Sequence, residues 1–504
     1  MLVSSVWVGG GLSARNYVEV FGNPQIWVLF RNSITLAALT TALAGITGII
    51  LGVLIIKTDM PVGTLLAAAF SVPLLFPPYI LAVGWFEILG RGGMLSRWTN
   101  AAIGEMTSGW LFGFPGAVVV LSSAFLPIVL LLTITYLRGV NPTLEEAARL
   151  SYGPFAVLRQ ITIPLIRPGI VLALTLVFLL TMGEYGAPAF LRLNVFPVAS
   201  FTQSSALYNF DAATAAATPL IGVVLAGLFV EQKALGQRSY SFRWARPQMS
   251  QLIPLGHMRV PVVIGAMMLA LLFVGVPIAG VLWRGSSAAA LSEAIERGAS
   301  SAVHSVLYAT AAATLVTGVG FFLAYLIQRR ALIGWRWLDA LGLFLFTLPG
   351  TIIGIGLISL WNRPSTNWIY ATPGLLVFGF MAQYTAIGTR MVAAGMSQLS
   401  PSLEEAAEVA GVKWFRRVFG ILTPLLRPAT VAAWVATFVF CLRDVSLPLL
   451  LAPPGQDTLT ARTMTLMANG SPELIAALCL LSVTLALGPV TVAGIAWRFA
   501  RRLA

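Results

Sequence analysis

The 504-residue chain is 58% hydrophobic, only 10% charged and carries a formal net charge of +13, with a mean hydropathy of +0.87. Soluble globular domains carry about a quarter charged residues, so this composition excludes a soluble enzyme or binding module and places the chain in a membrane. The positive charge does not call for nucleic acid either, because it sorts by side of the bilayer once spans are drawn.

Met1 to Arg31 is mixed polar and aromatic, without the basic start and apolar run of a cleavable signal peptide. Residues 1–32 read as a short periplasmic tail. Crossing the hydrocarbon takes about 20 apolar residues in a helix that satisfies its own backbone. By that measure spans are predicted near 33–56, 64–86, 117–137, 169–190, 213–230, 261–283, 303–327, 338–361, 373–389, 429–451 and 473–497, eleven in all. Alternating the loops puts 21 of the 31 Lys and Arg on one side, nine on the other, and leaves Arg443 within a span. The richer side is the cytoplasmic one.

An internal repeat emerges in this frame. "NSITLAALTTALAGITGIILGVLIIK" from Asn32 is placed like "HSVLYATAAATLVTGVGFFLAYLIQR" from His304, each closing on a cytoplasmic cation, Lys57 or Arg329. "GEYGAPAFL" from Gly183 is placed like "RDVSLPLLL" from Arg443. Matched loops fall on the same side, so the repeats are parallel, related by an axis along the membrane normal. The expected organisation is a first repeat over 33–230 with five spans, a basic cytoplasmic linker over 231–260, and a second repeat over 261–504 with six. The counterpart of 261–283 is either lacking in the first half or upstream of Met1, and with the chain as given Ser33–Ile56 acts as a signal anchor.

Between spans lie two soluble-looking segments, "PTLEEAARLSYGPFAVLRQITIPLIRP" from Pro142 and "PSLEEAAEVAGVKWFRRVFGILTPLLRP" from Pro401, both on the cytoplasmic side. Thr143 stands three residues before Glu146, and Ser402 three before Glu405, the spacing of a capping box that starts a helix. Ala147 and Ala148, or Ala406 and Ala407, then leave room for a close-fitting surface. Gly411 ends the second helix, a further short helix follows, and Pro424 marks re-entry toward the membrane. One such loop reads equally well as an amphipathic surface helix at the headgroups, but two at matched positions do not.

The doubled pattern resembles the EAA loops of permease subunits in bacterial binding-protein-dependent ABC importers of the type I fold, and the resemblance covers essentially the whole chain. The family pattern falls on Glu405, Ala406, Ala407, Gly411, Ile421 and Pro424, and in the first half on Glu146, Ala147, Ala148, Ile161, Ile163 and Pro164. The first copy is one residue shorter, and Tyr152 stands where the Gly is expected, which leaves Gly153 to take the turn and makes the two loops unequal. The resemblance implies an all-α, polytopic inner-membrane protein of two pseudo-twofold repeats, fused in one chain. It implies coupling of these loops to a cytoplasmic ABC ATPase homodimer, which holds the ATP and Mg, and docking of a periplasmic substrate-binding protein that largely sets selectivity. A fused chain and the run "RDVSLPLLLAPPGQDTLTARTMTLMANGSPE" look most like ferric iron permeases, with thiamine, phosphonate, polyamine and sulfate as the other substrates of similar members.

The chain itself has no means to hydrolyse ATP: of three Lys only Lys57 precedes a Thr, and Ile56 rather than Gly precedes it, so no P-loop is present. Nor is there a convergent nucleophile, base or metal set for a membrane enzyme. His257 and His304 lack ligand spacing, and Cys441 and Cys479 fall in apolar spans as core residues, so no catalytic, cofactor or metal site is expected. Glu184, and Asp444 with Arg443 beside it, sit in equivalent spans, where a charge costs roughly 2.5–3.5 kcal/mol. They either flank the translocation path or bond locally near the outer surface. Pro73, Pro77, Pro78 and Pro349 interrupt matched spans, as broken helices or as packed kinks. A secondary transporter driven by an ion gradient would share the repeat and the buried acids, but not the two cytoplasmic helices.

Overall fold

The computed structural model describes residues 7–8, 11–12, 15–205, 210–235, 253–330 and 334–503. Most of the predicted linker, 236–252, and much of the tail lie outside these residues. Apart from a two-residue ladder pairing Trp7–Val8 with Gly11–Leu12, the described elements are helical. Among the described residues eight helices are long and apolar enough to cross a membrane, and two bent pairs bring the number to ten if each counts as one span. The remaining predicted span, 213–230, falls on the helix Phe210–Leu235, of which Thr218–Val230 is a described apolar stretch.

The chain divides into two compact units, residues 1–297 with 463–481, and 298–462 with 482–504. In the first, Pro24–Lys57 begins with Pro24 after the N-cap Asn23, whose side chain accepts from Gln25 N–H. It packs along Phe114–Arg138. Small residues set the closeness of that pairing: a Cβ on Gly48 would stand 2.8 Å from Val129 Cβ, and one on Gly52 2.7 Å from Thr133 Cγ2.

The next span is broken. Gly63–Leu75 and Pro78–Trp98 meet at 103°, because Pro77 and Pro78 lack N–H groups and the residue before them, Phe76, is driven to an extended φ of −110°. Against Pro78–Leu89 lies Gly256–Gly285, where a Cβ on Gly84 would be 2.0 Å from Pro277 O and one on Gly280 2.1 Å from Gly84 O. Gly256–Gly285 is therefore packed among helices of the predicted first repeat, and the unit boundary at 297 lies beyond the predicted repeat boundary at 260.

The second unit breaks its matching span at Pro349, between Trp335–Thr347 and Gly350–Trp361, by 105°. Both proline sites are thus full breaks and not kinks. Gly374–Met396 packs on Thr423–Arg443, with Gly395 facing Ala429, and the segment Gly350–Trp361 packs on the short helix Ser446–Leu451. Phe321, Val392, Val418, Leu422, Leu426 and Ala433 form a buried cluster beneath the second soluble-looking loop.

Candidate functional site

Both repeated loops open with a short helix, Pro142–Arg149 or Pro401–Val409, led by a proline at the first helical position. The caps differ from the predicted capping boxes. Asn141 accepts from Thr143 N–H at 3.1 Å, and Ser400 accepts from Ser402 N–H at 3.4 Å, so the cap lies two residues before Thr143 and Ser402. Glu146 and Ala147, like Glu405 and Ala406, are exposed, with Ala148 and Ala407 half-buried behind them.

The glutamate before each of these turns inward. Glu145 is buried, takes Lys57 Nζ at 2.7 Å on Oε2 and Thr162 Oγ1 at 2.6 Å on Oε1. In the second copy Glu404 pairs with Arg329, and Tyr325 O–H donates to its Oε1 at 2.7 Å. Each loop is thereby pinned near the end of a long helix, Pro24–Lys57 or Ala288–Gln328, whose sequences are placed alike. The two pins differ in wetness: the side chains are 4% and 5% exposed for Lys57 and Glu145, but 25% and 11% for Arg329 and Glu404.

The turns differ as well. Gly411 has a φ of +76°, and its N–H bonds Glu408 O at 2.8 Å while Val412 N–H bonds Ala407 O at 3.0 Å, the paired bonds of a Schellman end. Gly153 does not repeat this. It lies at φ −67° as the N-cap of the helix that follows, the place Lys413 holds in the second copy. The residue missing from the first loop comes out of its helix, eight residues against nine, and its turn runs without a left-handed residue. Glu408 also takes Arg417 at 2.6 Å, clasping the second helix to the next, whereas Arg149 stands at that place in the first.

Pro164 and Pro424 do not begin new helices. The structure runs continuously over Pro154–Gly183 and Trp414–Arg443, 30 residues each, with a π turn, Leu158–Thr162 or Val418–Leu422, just ahead of the proline. A proline ring collides with the carbonyl four residues back, and one extra residue in the turn moves that carbonyl away. In the second copy Thr423 N–H and Oγ1 both bond Val418 O.

Glu184 and Asp444 lie at helix ends and not within spans, as C-caps of Ile163–Gly183 and Thr423–Arg443. Each side chain turns to start the next short helix: Glu184 Oε1 accepts from Gly186 N–H at 3.1 Å, and Asp444 Oδ1 from Leu447 N–H at 3.0 Å. Asp444 is buried, with Tyr384 O–H on its Oδ2 and Thr460 Oγ1 on its main-chain oxygen at 2.7 Å. Arg443 lies with its guanidinium over the Phe440 ring at 5.1 Å. Elsewhere in the first unit, Arg284 holds Glu87 and Glu473, each at 3.2 Å, beside a cavity of about 500 Å³ that Glu87, Tyr185, Arg192, Met464 and Met467 help to line. Among the described residues no three His, Cys, Asp or Glu side chains converge as metal ligands.

A family model described as the binding-protein-dependent transport system inner membrane component matches residues 333–498. The chain is 26% identical over 399 residues to the putative ferric transport system permease protein FbpB 1 of Haemophilus influenzae, covering 75% of this chain and 63% of that one. It spans less than two thirds of that relative's length. It is 23% identical over 491 residues to the ferric transport system permease protein FbpB of Actinobacillus pleuropneumoniae, covering 93% and 71%. With the molybdenum transport system permease protein ModB of Escherichia coli it shares 31% identity over 168 residues, 32% of this chain and 69% of ModB. On this evidence the chain is a multi-pass membrane protein belonging to the binding-protein-dependent transport system inner membrane components.

Proposed function

We propose that this chain is the fused permease of an ATP-driven importer, with helices Pro142–Arg149 and Pro401–Val409 docking on a cytoplasmic ATPase homodimer. The observation that carries the reading is the repeated presentation of Glu146-Ala147 and Glu405-Ala406 on exposed faces of helices whose preceding glutamates are held inward. Nucleotide chemistry belongs to the ATPase, with its ATP and Mg. A periplasmic binding protein delivers the substrate, and the names of the two FbpB relatives, matched over most of the chain, favour ferric iron over the molybdenum and sulfate in the names of relatives matched over shorter stretches. Glu184 and Asp444, with Arg443 beside the latter, flank the path, and the two acids fix the short helices Gly186–Phe190 and Ser446–Leu451 at the ends of long ones.

Reconstitution with the ATPase and binding protein in liposomes tests the reading: uptake of ferric iron requires ATP and both partners. The double variant Glu405→Lys/Gly411→Pro is expected to insert normally and lose ATPase association. Uptake without the ATPase, or an unimpaired double variant, refutes the coupling role.

A further inference from the structure

Four segments of the first unit converge on Lys57. Its Nζ holds the coupling helix through Glu145, and the other oxygen of that carboxylate holds Thr162 in the π turn of the following helix. Its main-chain oxygen accepts Ile253 N–H at 2.8 Å, where residues 58 and 253 form a parallel bridge, and Asp59 Oδ1 accepts Leu255 N–H at 2.9 Å. The end of the linker, the end of Pro24–Lys57, the coupling helix and the start of Pro154–Gly183 thus share one knot, buried at Lys57, Glu145 and Thr162. Both oxygens of Glu145 are engaged by fixed donors, so the coupling helix cannot roll or slide without breaking a charge-assisted bond.

We infer that Lys57 is a positioning residue for coupling: it makes the first loop a rigid lever that passes ATPase motion to three other segments at once. The inference rests on the proposed coupling role of the loops. The second loop hangs on the wetter Arg329–Glu404 pair, where Tyr325 also accepts Trp414 Nε1–H at 3.2 Å. A partly exposed pair holds less firmly than a buried one, so the second loop transmits motion with more give.

Stability and transmission separate in an apolar replacement, because exchanging both members of a buried ion pair for well-packed apolar residues is often neutral for folding. The test uses the full chain with its ATPase and binding protein in liposomes, and reads radiolabelled ferric iron moved per ATP hydrolysed, alongside ATPase association. Lys57→Met/Glu145→Leu is expected to keep ATPase association and hydrolysis while transport per ATP falls about tenfold. Arg329→Met/Glu404→Leu is expected to lower that ratio clearly less. Wild-type coupling in the first variant, or equal losses in both, overturns the inference. As a second reading, Lys57→Glu/Glu145→Lys must couple better than Lys57→Glu alone, and equal uncoupling of the two also overturns it. Failure of the wild-type chain to retain the ATPase is a different result, which removes the coupling proposal itself.

Discussion

Gly84 and Gly280 meet where Pro78–Leu89 crosses Gly256–Gly285, so closely that a Cβ on Gly280 would stand 2.1 Å from Gly84 O. The obstacle is main chain, which cannot rotate away. Gly84→Val and Gly280→Val are each expected to destabilise by about 1–3 kcal/mol or more, read as a lowered Tm of the detergent-solubilised protein. Gly265→Ala, on the same helix with open space around it, is expected to leave Tm unchanged or raise it, since Ala exceeds Gly in helix propensity by roughly 1 kcal/mol.

The two loop glycines are expected to part company. Gly411 sits in the left-handed region, where a side chain costs roughly 1–2 kcal/mol, so Gly411→Ala should speed hydrogen exchange at the Gly411 and Val412 amides. Gly153, at φ −67° with nothing near its missing Cβ, should accept Ala without faster exchange anywhere in its loop. Equal behaviour of the pair contradicts the assigned turns.

Arg284 stands between two carboxylates, one of them almost wholly buried. Removing it leaves a buried charge uncompensated, worth about 3–5 kcal/mol. Arg284→Met should therefore lower Tm strongly, and Arg284→Met/Glu87→Gln should recover much of the loss. Glu473→Gln should matter little, because that side chain is 45% exposed.

Tyr384→Phe strips Asp444 of its only side-chain donor among the contacts described, leaving the buried carboxylate on main-chain bonds. An unmet buried acceptor costs about 1–3 kcal/mol. The half-buried Glu184, bonded to Gly186 N–H, should tolerate Gln with a smaller loss in Tm. A larger effect at Glu184 than at Tyr384 runs against this ranking.

Much of the fold was legible because a span announces itself through twenty uncharged residues, and Ser33–Ile56 lies well inside Pro24–Lys57. Proline marked the breaks at Pro77 and Pro349, but not their angle, which depends on what packs against the bend. The loops were found through Glu146 and Glu405, yet the inward residues are their neighbours Glu145 and Glu404, whose partners lie 88 and 75 positions away. Two clues were present, a doubled glutamate in each loop and a cation closing each of the two similarly placed stretches, at Lys57 and Arg329. Joining them needed the tertiary contact. The caps were misplaced by two residues because Asn141-Pro142 and Ser400-Pro401 start the helix as readily as a capping box does, and the π turns leave no local signature beyond the proline that follows them.

The first unit takes in Gly256–Gly285 and closes with residues 463–481, which has a consequence for biogenesis. At a ribosomal pace of about 5–20 residues per second, its earliest helices wait roughly tens of seconds before their last neighbour is synthesised. Until then Arg284 has Glu87 but lacks its second carboxylate, Glu473. A gene split at the repeat boundary would also hand that neighbour to the wrong polypeptide, so two separately expressed halves could mature only by finding each other first.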